Sequence, residues 1–127
     1  MKRNICCYGS LRKNHGNWRY ILSESPQLST EVVNIPFKMI SMGGFPGLVP
    51  SPENHDITIE IFEVDEPTYQ RVENLEGYPN FYQKALIPTS LGELEIYVLM
   101  GARYQSGYDV VENGDWNTHL KPYYAES

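Results

Sequence analysis

Cysteine is almost absent from this 127-residue chain, and the two present, Cys6 and Cys7, are neighbours. A disulfide between adjacent residues closes a strained ring and no loop, so both read as free thiols, one facing inward and one outward along a strand. With no second pair of sulfurs and no ligand-like spacing among His15, His55 and His119, no metal site is expected. Basic residues are few as well: 10 Lys and Arg stand against 16 Asp and Glu, a formal net charge of −6. That balance removes the general attraction to phosphate backbones and anionic lipid on which nucleic-acid binders depend. The one basic cluster, Lys2, Arg3, Arg12 and Lys13, reads as solvated charge. Long hydrophobic runs are missing too. No segment approaches the roughly 18 to 20 apolar residues of a membrane span, and the apolar patch ending at Tyr8 is too short for a secretion signal. The expectation is a cytoplasmic protein with neither nucleic acid nor membrane as partner.

What is present suits one compact domain over residues 1–127: 41% hydrophobic and 13% aromatic residues, ten of them tyrosine. Ten glycines and nine prolines punctuate short β-rich runs and do not gather in a linker. The runs 4–8, 28–35, 37–42 and 48–49 read as strands, with Pro36 separating two of them or kinking an edge. Residues 56–64 place Ile57, Ile59 and Ile61 on one face and Phe62 and Val64 on the other, a strand bulged or covered on both sides. Residues 93–100 alternate likewise, with Leu94, Ile96, Val98 and Met100 inward, after a hairpin turn at Leu91-Gly92 that follows the run 82–88. The two long strands are expected to pair antiparallel. Between them one helix starts at Asp65-Glu66-Pro67 and ends at Glu76 before Gly77. Short helices are expected at 17–22 and from Asp115 to Leu120, the latter stopped by Pro122. The sum is a mainly antiparallel α+β domain, closed or half-closed into a barrel that hides its edges.

Glu76 stands out chemically. It lies at the carbonyl-rich end of the helix, one turn after Glu73, four residues from Val72 on the apolar side. Each feature disfavours a carboxylate and moves its pKa toward neutrality, as proton transfer at pH 7 requires. An ordinary solvated glutamate beside a glycine cap remains the alternative. The segment Tyr8-Gly9-Ser10-Leu11-Arg12 leaves a strand at a glycine, where successive N–H groups can converge on an anion, although a plain turn has the same pattern. The Gly43-Gly44-Phe45-Pro46-Gly47 loop is a candidate pocket wall, whereas Tyr82 and Tyr97 fit a core or interface at least as well. Tyr104, Tyr108, Tyr123 and Tyr124 would serve a protein interface if exposed.

Taken in order, Tyr8 to Arg12, Asn17, Gly44-Phe45-Pro46-Gly47-Leu48, Glu60-Ile61-Phe62-Glu63-Val64, Leu75-Glu76-Gly77-Tyr78, Tyr82 and Gly114-Asp115-Trp116 resemble the γ-glutamylcyclotransferase-like superfamily, which includes the AIG2-like proteins. The resemblance implies a six-stranded barrel-like sheet with a few short helices. It also implies release of an amine or amino acid from a γ-glutamyl compound as the glutamyl part cyclises to 5-oxoproline. By the same resemblance Glu76 is the acid/base, Tyr8, Gly9, Ser10 and Leu11 cradle the γ-glutamyl moiety, and Tyr82 stands on the pocket wall. No cofactor is implied, since the substrate's own amine is the nucleophile. Family members often carry Asp three residues before the glutamate and Arg two after the tyrosine; here those positions are Glu73 and Lys84. The alternative is a module that binds a small metabolite in the same pocket without turnover. The leaving group and the oligomeric state are not legible.

Overall fold

The computed structural model describes residues 2–124. Six strands alternate with short helices: β1 (Lys2–Cys7), α1 (Gly16–Ile21), β2 (Gln27–Ser41), β3 (Pro46–Asp65), α2 (Glu66–Glu76), β4 (Gln83–Thr89), β5 (Gly92–Val98), a 3-10 turn (Ala102–Tyr104), β6 (Asp109–Val110) and α3 (Trp116–Tyr124). Every ladder is antiparallel. One sheet has the order β1-β3-β2-β6, and β4 and β5 form a separate hairpin. The two long strands therefore do not pair with each other: β3 is taken up on both edges by β1 and β2, leaving β5 to β4.

The expected barrel interior is present as an apolar cluster to which both ladders contribute: Cys6, Ile35, Met39, Ile57, Ile59 and Ile61 from the large sheet meet Ile87, Ile96 and Val98 from the hairpin, with Trp116 of α3. The opposite face is covered as well. There Ile5, Cys7, Phe62 and Val64 pack with Leu22 beside α1 and with Tyr69 and Val72 of α2. Sheet faces buried on both sides read as continuous apolar runs, which accounts for Phe62 and Val64 following Ile61. Neither cysteine is outward: Cys6 is 3% and Cys7 4% exposed, on opposite faces that are both covered. Met100, by contrast, is exposed, because β5 ends at Val98 and Leu99 turns to donate its N–H to Leu48 O at 2.8 Å.

The runs on either side of Pro36 are one strand. The register shifts between Ile35, opposite His55, and Phe37, opposite Pro50, so the missing proline N–H falls at a bulge. Leu48 and Val49 are the beginning of β3, extended by its pairing with β2. The helix α2 begins and ends as expected: Asp65 caps it by accepting the Thr68 N–H at 2.9 Å, and Gly77 closes it in the left-handed conformation at φ 62°. Asp115 caps α3 through the N–H groups of Asn117 and Thr118, but that helix runs through Pro122 to Tyr124. Tyr104 is buried, leaving Tyr108 exposed; the side chains of Tyr123 and Tyr124 lie outside the described residues.

Arg12 overturns the reading of the basic cluster as solvated charge. It is 4% exposed, its Nε bonded to Glu60 at 2.8 Å and its Nη1 to Asp115 at 2.7 Å, and the Lys13 N–H completes the Glu60 carboxylate at 2.7 Å. One guanidinium thus ties the loop after β1 to the middle of β3 and to the start of α3. Because removing it strands a buried carboxylate, Arg12→Met is expected to lower unfolding free energy by about 3 kcal/mol in urea titrations. The double replacement Arg12→Met with Glu60→Gln is expected to lose less than the single one.

Candidate active site

The chain leaves β1 at Cys7 into a loop fixed from three directions. The Tyr8 hydroxyl donates to Tyr97 O at 2.8 Å, Leu11 is buried, and Arg12 holds the far end. Gly9 passes so close to the proline of the next wall that a Cβ there would stand 2.8 Å from Pro46 Cγ, a rigid ring that cannot swing aside. Glycine is therefore needed for close approach, not for a left-handed turn. The Arg12 N–H returns to Gly9 O at 2.9 Å and the Trp18 N–H reaches Ser10 O at 3.3 Å, while Asn17 Nδ2 donates to Ser10 Oγ at 2.7 Å. Among the described residues, the N–H groups of Ser10 and Leu11 have no protein acceptor. Free N–H donors on a loop that leaves a strand at a glycine can hold an anion.

Glu76, the last residue of α2, enters the same space because it lies one turn beyond the buried Val72. Burial first, and the Glu73 charge second, raise its carboxyl from 4.5 to about 7. The helix-end carbonyls contribute less than the sequence suggests, since those of Glu73 and Asn74 accept N–H groups from the Gly77 cap and Tyr78. The Glu76 carbonyl itself accepts the Tyr82 N–H at 3.3 Å, and the Tyr82 hydroxyl crosses to Pro46 O at 2.7 Å. Glu73 and Lys84, the two positions at which the family pattern changes, are joined in an ion pair. Burial opposes the charge on Glu73, but Lys84 and the Tyr69 hydroxyl hold it below the usual carboxylate range. Glu73 consequently stays charged beside Glu76.

A cleft of about 330 Å³ joins these elements, within the usual range of small-ligand sites. Its walls bring together all six residues expected there: Tyr8, Gly9, Ser10, Leu11, Glu76 and Tyr82. The Tyr8 and Tyr82 hydroxyls are engaged by backbone, which leaves their rings as walls. Reading by residue type missed Phe81 and undervalued Tyr97, both of which line the cleft. Phe81 carries no signal in the sequence, and Tyr97 was concealed by strand alternation that suits core packing equally well. The Tyr97 hydroxyl is buried beside the Glu73 carboxylate, and burial first, then that charge, raises its pKa. Cys7 also reaches the cleft, but burial raises its thiol well above the ordinary value, and that of Cys6 to about 12, so neither supplies a thiolate. Among the described residues no cluster of His, Cys, Asp and Glu has the arrangement of a metal site, and no helix is long and apolar enough to cross a membrane.

The family described as gamma-glutamyl cyclotransferase, AIG2-like, matches residues 5–118. The chain belongs to that family. Its function is accordingly cyclotransferase-like, and its α+β, mainly antiparallel architecture is shared with an AIG2-like protein of Mus musculus, at a TM-score of 0.70 and 19% identity over 91% of this chain and 88% of that one. It is 30% identical over 120 residues to a putative gamma-glutamylcyclotransferase of Vibrio cholerae, covering 91% of this chain and 96% of that one. It is 28% identical over 99 residues to the gamma-glutamylaminecyclotransferase of Rattus norvegicus, over 72% of this chain and 66% of the other. Among solved structures, an uncharacterized protein of Pyrococcus horikoshii superposes with a TM-score of 0.78 over 96% of both chains at 18% identity.

In this gamma-glutamylcyclotransferase-like chain the position of Glu76 has a consequence for stability that is independent of turnover. A carboxyl whose pKa rises on folding stabilises the fold in its protonated form; that contribution is complete below about 4.5 and is lost as pH rises through about 7. Glu76→Gln is therefore expected to match the parent in stability at pH 4 and to exceed it by about 1–3 kcal/mol at pH 8, measured by denaturant unfolding at both values.

Proposed function

We propose that the chain converts a γ-glutamyl amide to 5-oxoproline and a free amine, with Glu76 as the general acid/base. The observation that carries this reading is the cleft shared by a carboxyl near pH 7 and the unengaged N–H groups of Ser10 and Leu11. The names of the relatives, gamma-glutamylcyclotransferase and gamma-glutamylaminecyclotransferase, point to the same chemistry.

The reaction is intramolecular. Glu76 as carboxylate takes a proton from the α-ammonium of the glutamyl group, and the freed lone pair attacks the γ-carbonyl carbon. The carbonyl electrons move to oxygen, where the loop N–H groups stabilise the oxyanion. As the carbonyl re-forms, the C–N bond to the amine breaks and Glu76 returns the proton to the leaving nitrogen; the regenerated carboxylate then takes the second proton from the ring nitrogen and passes it to the free amine, which departs as an ammonium. Raising the carboxyl from 4.5 to about 7 reduces the uphill cost of the first transfer by about 3 kcal/mol. Folding the glutamyl chain against the Tyr8 and Tyr82 walls places amine and carbonyl in contact, the kind of positioning worth roughly 7–11 kcal/mol in well-oriented intramolecular reactions. No step calls on a protein nucleophile.

The test is a 5-oxoproline assay with γ-glutamyl amines and dipeptides. The parent is expected to release 5-oxoproline, with kcat/KM rising with pH through about 7 as Glu76 ionises. Glu76→Gln is expected to lose about 10²–10⁴ in kcat while retaining its circular dichroism spectrum. Saturable binding of these compounds without 5-oxoproline would replace the enzyme reading with the non-catalytic binding module, and full activity in Glu76→Gln would overturn the assigned role.

A further inference from the structure

The residues lining the cleft divide by exposure. Cys7, Tyr8, Leu11, Val72, Tyr82 and Tyr97 are buried and form the floor. At the mouth stand Phe45, Phe81 and Leu75, 38%, 37% and 42% exposed, with the two phenylalanine rings edge to face at 6.2 Å. Phe81 is braced from behind by Tyr82 and Tyr104, with ring centroids at 4.9 and 6.3 Å. This is a fixed apolar rim, the sort of exposed aromatic surface that single surface side chains do not explain.

The rim also lacks charge. Among the described residues lining the cleft, Glu76 is the one ionisable group besides cysteine and tyrosine, and no Lys, Arg or His is present. Cations of the surrounding elements are engaged elsewhere: Arg12 by Glu60 and Asp115, Lys84 by Glu73 beneath the rings of Tyr78 and Tyr97, and Arg103 by the ring and hydroxyl of Tyr104. The unengaged N–H groups of Ser10 and Leu11, on the loop after β1 and apart from the aromatic rim, suit the glutamyl head. A second carboxylate, on the departing group, would meet no side-chain donor among Phe45, Pro46, Leu75 and Phe81, and a second ammonium would meet no carboxylate there.

We infer that the amine released by this enzyme carries no charge beyond its reacting nitrogen and has an apolar, aromatic or alkyl, body that seats against Phe45 and Phe81. The inference rests on the cyclotransferase reading and narrows its substrate from γ-glutamyl compounds at large to γ-glutamyl amides of apolar amines. Amino acid and diamine leaving groups are disfavoured.

Two matched pairs test this. γ-L-Glutamyl-phenethylamide and γ-L-glutamyl-L-phenylalanine differ by one carboxylate, and the γ-glutamyl pentylamide and 5-aminopentylamide by one ammonium. In each pair the uncharged member is expected to have the higher kcat/KM, by about 10- to 100-fold. Phe81→Ala is expected to reduce the preference for the phenethylamide over the γ-glutamyl methylamide about tenfold, mainly through KM. The more exposed Phe45→Ala, which touches less of the core, is expected to move the same ratio in the same direction. Equal kcat/KM within both pairs, or a preference unchanged in both variants, overturns the inference while leaving the cyclotransferase reading intact. Absence of 5-oxoproline from all five compounds overturns both.

Discussion

Removing a carboxylate from water costs several kcal/mol unless a cation or hydrogen-bond donors replace the lost solvent. This chain meets that cost for the buried Glu60 and for the largely covered Glu73. Glu60 receives the Arg12 guanidinium and the Lys13 N–H, and Glu73 receives the Lys84 ammonium. Among the described residues Glu76 receives no cation, and its charge is opposed by burial and by Glu73 nearby. The cost is met at Glu76 by holding a proton until the pH approaches 7, which turns a liability in folding into a group able to exchange protons at neutral pH. Pairing the neighbours is what isolates it: Glu73 remains charged because Lys84 is there, and a charged Glu73 keeps Glu76 raised.

The same network places the other half of the site. Arg12 anchors the loop after β1 to β3 and α3, and the Arg12 N–H to Gly9 O bond closes its turn, so the loop is held while the N–H groups of Ser10 and Leu11 stay without a protein acceptor. Gly9 then admits Pro46, and Pro46 O receives the Tyr82 hydroxyl from the segment just after α2. Through these contacts the loop after β1, the turn before β3 and the end of α2 form three walls of one cleft, although they are distant in the chain. Packing on both faces of the large sheet makes this possible: the outer face, with α1 and α2 against it, carries the helix end to the cleft.

Much of this was legible locally. Asp65, Pro67 and Gly77 bound α2 through backbone chemistry that needs no tertiary partner, and Glu76 follows from that boundary by counting one turn from Val72. The six residues that meet at the cleft were legible as an ordered set of motifs, because a glycine after a strand and a glutamate before a capping glycine each look ordinary alone. What was hidden depended on contacts across the chain. Arg12 looked solvated because nothing near it in sequence announces Glu60 or Asp115. Cys6 and Cys7 alternate as strand residues should, but alternation cannot say that both faces are covered. The long β3 was obscured by Pro50 and Pro52, whose tolerance rests on the register shift opposite Pro36. Burial, the largest influence on Glu76, is itself a tertiary property and was inferable only as an apolar neighbour.

The central claim is that the Glu76 carboxyl is held uncompensated in the cleft. Its most direct test is a carbon-13 NMR titration of the side-chain carboxyls of the folded protein, with Glu76 assigned by its absence in Glu76→Gln. The account predicts a midpoint near 7 for that resonance. A midpoint at or below about 4.5 would show a solvated or paired carboxylate and would contradict it.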